Sequence, residues 1–392
     1  MPTTAAYRRR LVFAAAASGM LLFGIVFAAL GPILPAVIAR FGLDRAGAGA
    51  LLSLLTFGIL VGSLLFGPVV DRYGYRVPLV LATALIGLGI EAIALARDIA
   101  LFRAGVFAIG LGGGVVNGAT NALVADIHEG QRSAGLSLLG IFFGIGAFGV
   151  PLLLGLFQDA HPYGAILATI GAVVTVPLAL FTAIRFPAPK QPHGVPLGTV
   201  LGLLRDRALW LFGLVLFCES GLEVTVGGWT AAYVSEELRV GAGNAAYFVS
   251  LYWFAMTVAR LGLSVVLERR SPAAVLLASM AVAFAGALAL LAARAPSAAA
   301  LGVLLVGAGF GGVFPIVLGY VGDRYPALSG TAFSVAFVLA LSGGMTLPYV
   351  TGALADAHGL RASLLVVPLG VAVMAGLFGL VHRGRPISAN VG

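Results

Sequence analysis

Two glutamates lie four residues apart inside a hydrophobic stretch of the sequence, residues 216–233. In an α-helix this spacing places Glu219 and Glu223 on the same face, one turn apart. An ionisable side chain near the centre of a bilayer costs at least ~2.5 to 3.5 kcal/mol, so it normally faces a partner or a water-filled path for an ion or a substrate. Two such groups on one face predict a polar cavity in which they bind a cation, a substrate or both.

The ion that such a pair would bind is open at the level of sequence. Two carboxyl groups one turn apart in a low-dielectric cavity are expected to share a proton near neutral pH, which is the chemistry that a proton-coupled carrier needs. A sodium site is the alternative, because carboxylates and backbone carbonyls loosened around Gly227 and Gly228 would supply hard oxygen ligands. A third interpretation is a pair of helix-packing acids satisfied by hydroxyls and carbonyls.

Other polar and aromatic residues could complete a substrate pocket. Thr230 follows the two acids on the same helical stripe, with Trp229 and Tyr233 beside it. Asn117 and Asn121 repeat the four-residue spacing in another apolar segment, and amides both donate and accept, which suits sugar hydroxyls. Hydrogen bonding between helices is the rival interpretation of the amides. The indole of Trp229 could stack on a sugar ring or anchor the helix at the membrane interface.

The elements that must position these residues are membrane helices. The chain has 392 residues, of which 60% are hydrophobic and 10% charged, with a mean hydropathy of +1.07. Soluble chains average about 25% charged residues, and apolar stretches of ~18 or more residues indicate membrane helices. The sequence therefore predicts an all-α protein in a lipid bilayer. Its twelve predicted spans are 11–39, 47–70, 77–96, 101–125, 134–157, 163–185, 209–235, 243–267, 272–293, 297–321, 331–355 and 361–381.

The positive charge of the chain predicts its orientation rather than a nucleic-acid partner. The net charge is +8, but the basic residues form short clusters in loops and tails. Twelve spans place both termini on one side, and most lysines and arginines then lie on that side if it is the cytoplasm. These clusters run from Arg8, Arg9 and Arg10 to Arg383 and Arg385. We therefore expect a multi-pass protein of a bacterial inner membrane with both termini cytoplasmic.

Several absences narrow the function classes. By this assignment no Lys or Arg lies in the middle of a span, which argues against a permanently anionic substrate. All five histidines fall in loops or at span ends, so no histidine proton relay is expected. The glycine run 110–114 is not followed by Gly-Lys-Ser, so transport is expected to be secondary rather than driven by ATP. No arrangement typical of a membrane enzyme is present, and no cofactor or metal is predicted.

An internal repeat divides the chain. Distant residues of the two halves match at one constant offset of 197 residues, which is hard to obtain by chance. The matching pairs include Asp126 with Asp323, Pro151 with Pro348, Gly155 with Gly352, and Asp159 with Asp356. The longest connection, with four prolines, lies between them. We predict an N-terminal six-helix bundle at 1–185, a cytoplasmic linker at 186–208 and a C-terminal six-helix bundle at 209–392. Parallel repeats of this kind are typical of alternating-access transporters with a midplane site.

The connection between the second and third spans carries a family resemblance. The segment Gly67-Pro-Val-Val-Asp-Arg-Tyr-Gly-Tyr-Arg76 resembles the signature loop of the major facilitator superfamily. The segments 117–127, 137–153 and 307–326 are similar to the branch of L-fucose permease and its sugar-transporting relatives. The resemblance covers nearly the whole chain and implies two pseudo-symmetric six-helix bundles. Relatives in this branch can place carboxylates on spans one and four, whereas this chain has no acid on span one and only amides on span four.

The resemblance also implies gating roles for charged loop residues. Asp71 would accept hydrogen bonds at the end of span two, while Arg72 and Arg76 would bridge to the neighbouring bundle and stabilise the outward-open state. Glu268 and Arg269 repeat this pattern in the second half. Topogenic charge in a tight turn is the alternative interpretation for both loops.

Together these features predict a monomeric secondary carrier that moves a neutral polar solute, such as a monosaccharide, inward with a proton or sodium ion. In this hypothesis Glu223 binds the substrate or the proton, and Glu219 tunes it. The alternative is drug efflux by proton antiport, because the segment 146–151 loosely resembles the glycine-proline motif of antiporters in the superfamily. A membrane enzyme or a sensor without flux forms a third class.

Overall fold

The computed structural model describes residues 7–127, 132–187, 205–325 and 329–383, and over these ranges it contains fifteen α-helices and no strand. In chain order they are α1 (Arg9–Ala28), α2 (Leu30–Phe41), α3 (Arg45–Tyr73), α4 (Arg76–Leu95), α5 (Ile99–Ile127), α6 (Arg132–Phe157), α7 (Tyr163–Val173), α8 (Thr175–Ala183), α9 (Arg207–Leu238), α10 (Ala242–Leu267), α11 (Pro272–Ala292), α12 (Pro296–Arg324), α13 (Ser329–His358), α14 (Leu360–Ser363) and α15 (Val366–Arg383).

Twelve helical segments in the described ranges are long and apolar enough to cross a membrane. Their ends agree with the twelve predicted spans within four residues. The first span consists of α1 and α2, the sixth of α7 and α8, and the twelfth of α14 and α15. The prediction of an all-α, multi-pass membrane protein is therefore confirmed.

Prolines explain why two of the spans are interrupted. Pro32 lacks the N–H that would bond the carbonyl of Ala28, and Ala28 is the last residue of α1. In the same way Pro177 cannot bond the carbonyl of Val173, where α7 ends. Because proline removes this hydrogen bond and its ring crowds the carbonyl four residues before it, a continuous helix gives way to two shorter ones at both places.

Side chains and glycines define the helix ends. The Asp44 carboxylate accepts a hydrogen bond from the backbone N–H of Gly47 at 2.8 Å and so caps α3. Ser271 caps α11 through the N–H of Ala274. Gly42 ends α2 with a φ of 61°, a left-handed conformation that glycine adopts without steric cost. These signals position the spans and keep the connections short.

The helices form two compact units. One unit combines Met1–His193 with Gly227–Phe254, and the other combines Gly194–Val226 with Ala255–Gly392. The helices α9 and α10 each contribute one part to each unit. The predicted division into bundles at 1–185 and 209–392, joined by a linker at 186–208, stays a prediction; residues 188–204 of that linker lie outside the described ranges.

Glycines allow close helix packing within the first unit. Gly58 and Gly62 of α3 face Gly110 and Gly114 of α5, and a Cβ at any of the four would overlap backbone atoms of the opposite helix. Small residues of this kind let membrane helices approach closely and gain van der Waals contact. The glycine run at 110–114 is thus a packing feature of α5.

Candidate functional site

The two glutamates lie on α9, which runs without a break from Arg207 to Leu238. Glu219 is 0% exposed and Glu223 is 7% exposed. Both belong to the second unit, where Gly221 and Gly343 bring α9 and α13 close together. A Cβ at Gly221 would lie 2.8 Å from the carbonyl oxygen of Gly343. Residues two positions apart point to opposite sides of a helix, so Glu219 and Glu223 lie on the face of α9 away from this contact.

Glu223 has a basic partner on the next span. The Nη2 atom of Arg260, on α10, lies 3.5 Å from the Oε2 atom of Glu223, and the two side chains are 31% and 9% exposed. The expectation from sequence concerned only the middle of the spans, and Arg260 lies near the end of its span, Ala242–Leu263. Arg260 falls within the predicted span 243–267, and a charged residue in an apolar span was the signal that could have identified it.

Glu219 lies in a different environment from its neighbour Glu223. Both of its carboxyl oxygens are buried and have no hydrogen-bond partner within the described ranges. The side chain lies one turn from Glu223, and its charged neighbours are Glu223 and Arg260. The site therefore contains the carboxyl groups of Glu219 and Glu223 and the guanidinium of Arg260, which lies beside Glu223.

The amide pair predicted on the fourth span lies on α5 in the first unit. The Nδ2 atom of Asn121 donates to the side-chain oxygen of Asn117 at 2.9 Å and to its backbone carbonyl at 2.8 Å. Both residues are half-buried. Between them, Thr120 donates to the Val116 carbonyl at 2.8 Å and lies on Met20 of α1. The two amides thus bond each other while part of each remains accessible.

The predicted aromatic and hydroxyl residues of α9 are packed inside the first unit. Trp229, Thr230 and Tyr233 are all at most 1% exposed. A different aromatic cluster, which sequence reasoning missed, joins α1, α6 and α10. The ring of Trp253 lies 5.6 Å from that of Phe27 and 6.0 Å from that of Phe143, both in edge-to-face arrangements. Such pairs stabilise packing beyond their buried area.

The sequence profile of one family matches most of the chain. The profile described as "Major Facilitator Superfamily" covers residues 16–348. The chain belongs to the Major Facilitator Superfamily. The superfamily predicted from the signature loop is confirmed, and the chain is a membrane transporter of that family.

Two transporters are similar to this chain over most of its length. An uncharacterized transporter, y4wD, of Sinorhizobium fredii is 25% identical over 373 residues, 92% of this chain and 95% of the relative. A gentisate transporter of Corynebacterium glutamicum is 24% identical over 343 residues, 83% and 76% of the two chains.

Among solved structures, a point mutant of the nucleoside transporter NupG matches with a TM-score of 0.81 at 14% identity, covering 95% of this chain and 99% of that one. A point mutant of the E. coli fucose:proton symporter FucP matches with a TM-score of 0.66 at 22% identity, covering 94% and 98%. The resemblance to the fucose permease branch therefore holds for the fold.

The signature segment covers the end of α3 and the start of α4, and Asp71, Arg72 and Arg76 are exposed there. The guanidinium of Arg76 donates to the carbonyl of Thr182 at the end of α8. This contact is within the first unit, whereas the sequence predicted a bridge to the neighbouring bundle. Whether these residues gate transport stays a prediction, as it does for Glu268 and Arg269, which are exposed in the turn after α10.

Two tyrosines tie the ends of spans together outside the apolar segments. The Tyr75 hydroxyl donates to the Asp126 carboxylate at 2.6 Å, and burial together with this hydrogen bond raises the pKa of Tyr75, which keeps the phenol a donor. In the second unit Tyr325 donates to Asp206 at 2.7 Å, and Arg324 lies 3.3 Å from the same carboxylate oxygen.

Burial opposes ionisation of Asp206, but its hydrogen bonds from Tyr325 and from the backbone N–H of Ala208, with the charge of Arg324, lower the pKa of Asp206 overall. Burial and the hydrogen bond to Asp206 raise the pKa of Tyr325 to about 12. The carboxylate therefore stays ionised and the phenol protonated at neutral pH, so this contact between the start of α9 and the end of α12 is maintained.

Proposed function

We propose that this protein is a secondary carrier of a bacterial inner membrane that takes up a neutral polar solute together with a cation, with a monosaccharide as the leading substrate. Both termini lie in the cytoplasm, and the carrier works as a monomer. Transport occurs by alternating access between the halves 1–185 and 209–392, as in transporters built from repeats. The transporter family is established by the profile match, and the remainder is the proposal.

The observation that carries the proposal is the buried acid pair of α9 with its arginine. Charged groups inside a membrane span are costly and normally mark an ion or substrate path. Glu219 and Glu223 can bind a cation, and Glu223 with Arg260 offers both acceptors and donors to solute hydroxyls. The likeness in fold to a fucose:proton symporter and a nucleoside transporter supports a polar, uncharged solute.

Residues outside the acid pair complete the pocket in this proposal. Asn117 and Asn121 supply amide groups that are already half accessible. Trp229, Thr230 and Tyr233 are buried in the present conformation, so their contact with solute requires a second conformation, as alternating access does.

The charged loops gate the opposite end of the path. We propose that Asp71, Arg72 and Arg76, with Glu268 and Arg269 as their counterparts, hold the cytoplasmic side closed in the outward-open state. In the present structure Arg76 is bound to Thr182 within its own unit, so this role requires Arg76 to exchange that partner. Exposed ion pairs contribute ~0.2 to 1 kcal/mol each, which suits a contact that must break in every cycle.

A second candidate substrate is an aromatic monocarboxylate. Arg260 is a guanidinium inside a span, and guanidinium groups bind carboxylates in a planar, two-pronged geometry. A relative covering most of the chain is a gentisate transporter. In this version the substrate carboxylate takes the place of Glu223 on Arg260, and the released Glu223 takes up the coupling cation.

Thermal unfolding of the purified protein tests these candidates together. A ligand that binds only the folded state raises the melting temperature, and the rise grows with its concentration. The probes are L-fucose, uridine, gentisate and a lipophilic cationic dye, each at about pH 5.5 and 7.5, with and without sodium. The variant Glu223→Gln is compared with Glu236→Gln, an acid on the same helix that pairs with Arg45 outside the site.

The outcomes separate the classes. Stabilisation by L-fucose or uridine that disappears in Glu223→Gln but persists in Glu236→Gln supports uptake of a neutral solute. Stabilisation by gentisate alone favours the monocarboxylate. Stabilisation by the dye alone contradicts both and favours drug efflux. Accumulation of the hit in proteoliposomes under an imposed cation gradient then tests the coupling and the direction.

A further inference from the structure

We propose that the coupling ion is a proton, that Glu219 carries it, and that Arg260 holds Glu223 ionised, so that the two acids have separate roles. The inference rests on the proposed cation coupling and names its ion and its carrier. Arg260 is a positioning residue in this scheme, because it acts on the proton site through Glu223.

Burial and the missing partners of Glu219 make it the protonated member. The residue is 0% exposed, and neither carboxyl oxygen has a hydrogen-bond partner in the parts of the chain that the structure describes. An ionised carboxylate in such a place loses its hydration without compensation, at several kcal/mol, whereas an unsatisfied neutral polar group costs only ~1 to 3 kcal/mol. The neutral acid is therefore the form that this environment accepts.

Arg260 has the opposite effect on Glu223. Its guanidinium lies 3.5 Å from the Glu223 carboxylate, and the Arg260 side chain is 31% exposed. An opposite charge at this distance favours the ionised form of a carboxyl group. Glu223 is thus the acid that stays charged, although the two acids are neighbours on one helix.

The other elements packed against this part of α9 supply no competing charge within the described ranges. The helix α13 approaches it through Gly343 and Leu347, which face Gly221, and α15 approaches through Gly370, which faces Leu222. Within the described ranges the charged groups that act on Glu219 are Glu223 on its own helix and Arg260 on α10. The protonation of Glu219 depends on these two residues.

The continuity of α9 favours a proton over sodium. A sodium site at the acid pair needs several oxygen ligands. The backbone carbonyls near Gly227 and Gly228 could serve as ligands only if the helix were loosened there. The helix instead continues to Leu238, so these carbonyls face their own helical bonding partners. Glu219 and Glu223 alone do not supply the set of oxygens that a hard cation requires.

Proton transfer on Glu219 changes the charge of the whole cluster. With Glu219 protonated, Glu223 and Arg260 compensate each other and the cluster is neutral. Release breaks the O–H bond of Glu219, the proton passes to water on the cytoplasmic side, and the cluster keeps one negative charge inside the span. Because an uncompensated charge inside a span is costly, protonation favours closure of the carrier around its solute. After the solute and the proton have both left, the empty carrier returns to its outward-open state and is protonated again.

Infrared difference spectroscopy of the purified carrier tests the assignment without a substrate. The wild type, titrated from about pH 7 to alkaline pH, is expected to lose a carbonyl band of a buried protonated carboxylic acid. This band should be absent in Glu219→Gln and present in Glu223→Gln and Glu236→Gln. Circular dichroism and melting temperature confirm that each variant is folded. A band that is lost in Glu223→Gln but kept in Glu219→Gln, or no band in the wild type, overturns the proposal.

A second arm keeps this test separate from the proposed function. The melting temperature of the wild type is measured with sodium and with choline at equal ionic strength, and no sodium-specific rise is expected. A rise that disappears in Glu219→Gln overturns the proton assignment. If no probe solute accumulates in proteoliposomes, the proposed uptake fails, while the infrared band still decides whether Glu219 holds a proton.

An Arg260→Met variant adds a third readout, because the infrared band of the protonated carboxylic acid should then grow as Glu223 becomes protonated too.

Discussion

The amide pair of α5 and the acid pair of α9 share the spacing of one helical turn, but the structure satisfies them in opposite ways. Asn121 donates to Asn117 on its own helix, whereas Glu223 finds its partner, Arg260, on another helix. The amides are half-buried, and the acids are almost fully buried. Equal spacing therefore does not imply equal roles.

The difference follows from the chemistry of the groups. An amide carries both donors and acceptors, so two amides one turn apart can bond each other without external help. Two carboxylates are acceptors only and repel each other, so they need a proton, a cation or an arginine. The acid pair is consequently the part of the molecule whose stability and conformation depend on protonation, and the amide pair is suited to contacts with a solute.

The largest effect is expected from removing the arginine. Arg260→Met leaves the Glu223 carboxylate without its counter-charge, and breaking a fully buried ion pair costs ~3 to 5 kcal/mol. Because Arg260 is 31% exposed, solvent screens part of the interaction, and we expect a smaller loss in the free energy of unfolding, about 2 kcal/mol, measured by denaturant titration in detergent. Adding Glu223→Gln should recover more than half of it. If the double variant is no more stable than Arg260→Met, the ion pair is not what stabilises this site.

The next effect concerns the close contact of α13 with α9, on the face of α9 opposite the acids. Gly343→Ala would place a Cβ onto the backbone of Phe217, and overpacking of this kind costs ~1 to 3 kcal/mol. Its counterpart near the amides is Gly118→Ala, where the overlapping atoms belong to the Phe66 side chain, which can turn away. We expect Gly343→Ala to lower the melting temperature more than Gly118→Ala. Equal losses would mean that rigid backbone contact does not distinguish the two regions.

A smaller effect is expected at the amide pair itself. A double-mutant cycle with Asn117→Ala and Asn121→Ala should give a coupling of about 1 kcal/mol or less, because a neutral hydrogen bond contributes ~0.5 to 1.5 kcal/mol and both residues keep access to water. Solute affinity should fall severalfold in each single variant, while the response to a pH gradient is retained. Loss of that response in the amide variants would place coupling on α5 instead of α9.

The smallest effect is expected at the contact of Asp206 with Tyr325. The lowered pKa of Asp206 contributes stability that is present above the ordinary pKa of an aspartate and is lost as the pH falls through its folded value. The raised pKa of Tyr325 contributes stability that is fully present below the ordinary pKa of a tyrosine. This stability is lost as the pH rises through the folded-state pKa of about 12. Tyr325→Phe should lower the free energy of unfolding at pH 7 by about 0.5 to 1 kcal/mol. An unchanged profile of melting temperature against pH would show that this contact contributes nothing.

The sequence predicted the spans well because hydropathy and proline positions are local signals. Pro32 and Pro177 even mark where spans are interrupted. It also placed Glu219 and Glu223 on one face, since that follows from helical spacing alone. It could not predict that Glu223 would meet Arg260, because this contact depends on how α9 and α10 pack.

The internal repeat shows the same limit. The carbonyls of Ala96 and Ala293 are equivalent under the offset of 197 residues, and each accepts a hydrogen bond from an arginine. In the first unit the donor is Arg40, at the end of α2, whereas in the second it is Arg361, in α14. The two arginines occupy non-equivalent positions, so an alignment of the halves detects the carbonyl position but not its partner.

We place cation coupling in the acid pair of α9 and not in the amides of α5. Proteoliposomes without any ion gradient test this most directly: the solute identified by thermal stabilisation is added, and a pH-sensitive dye in the external medium reports proton uptake. We expect external alkalinisation with the wild type and with Asn117→Ala, and none with Glu219→Gln, which should still exchange labelled for unlabelled solute. Alkalinisation that persists in Glu219→Gln would show that Glu219 does not carry the coupling ion.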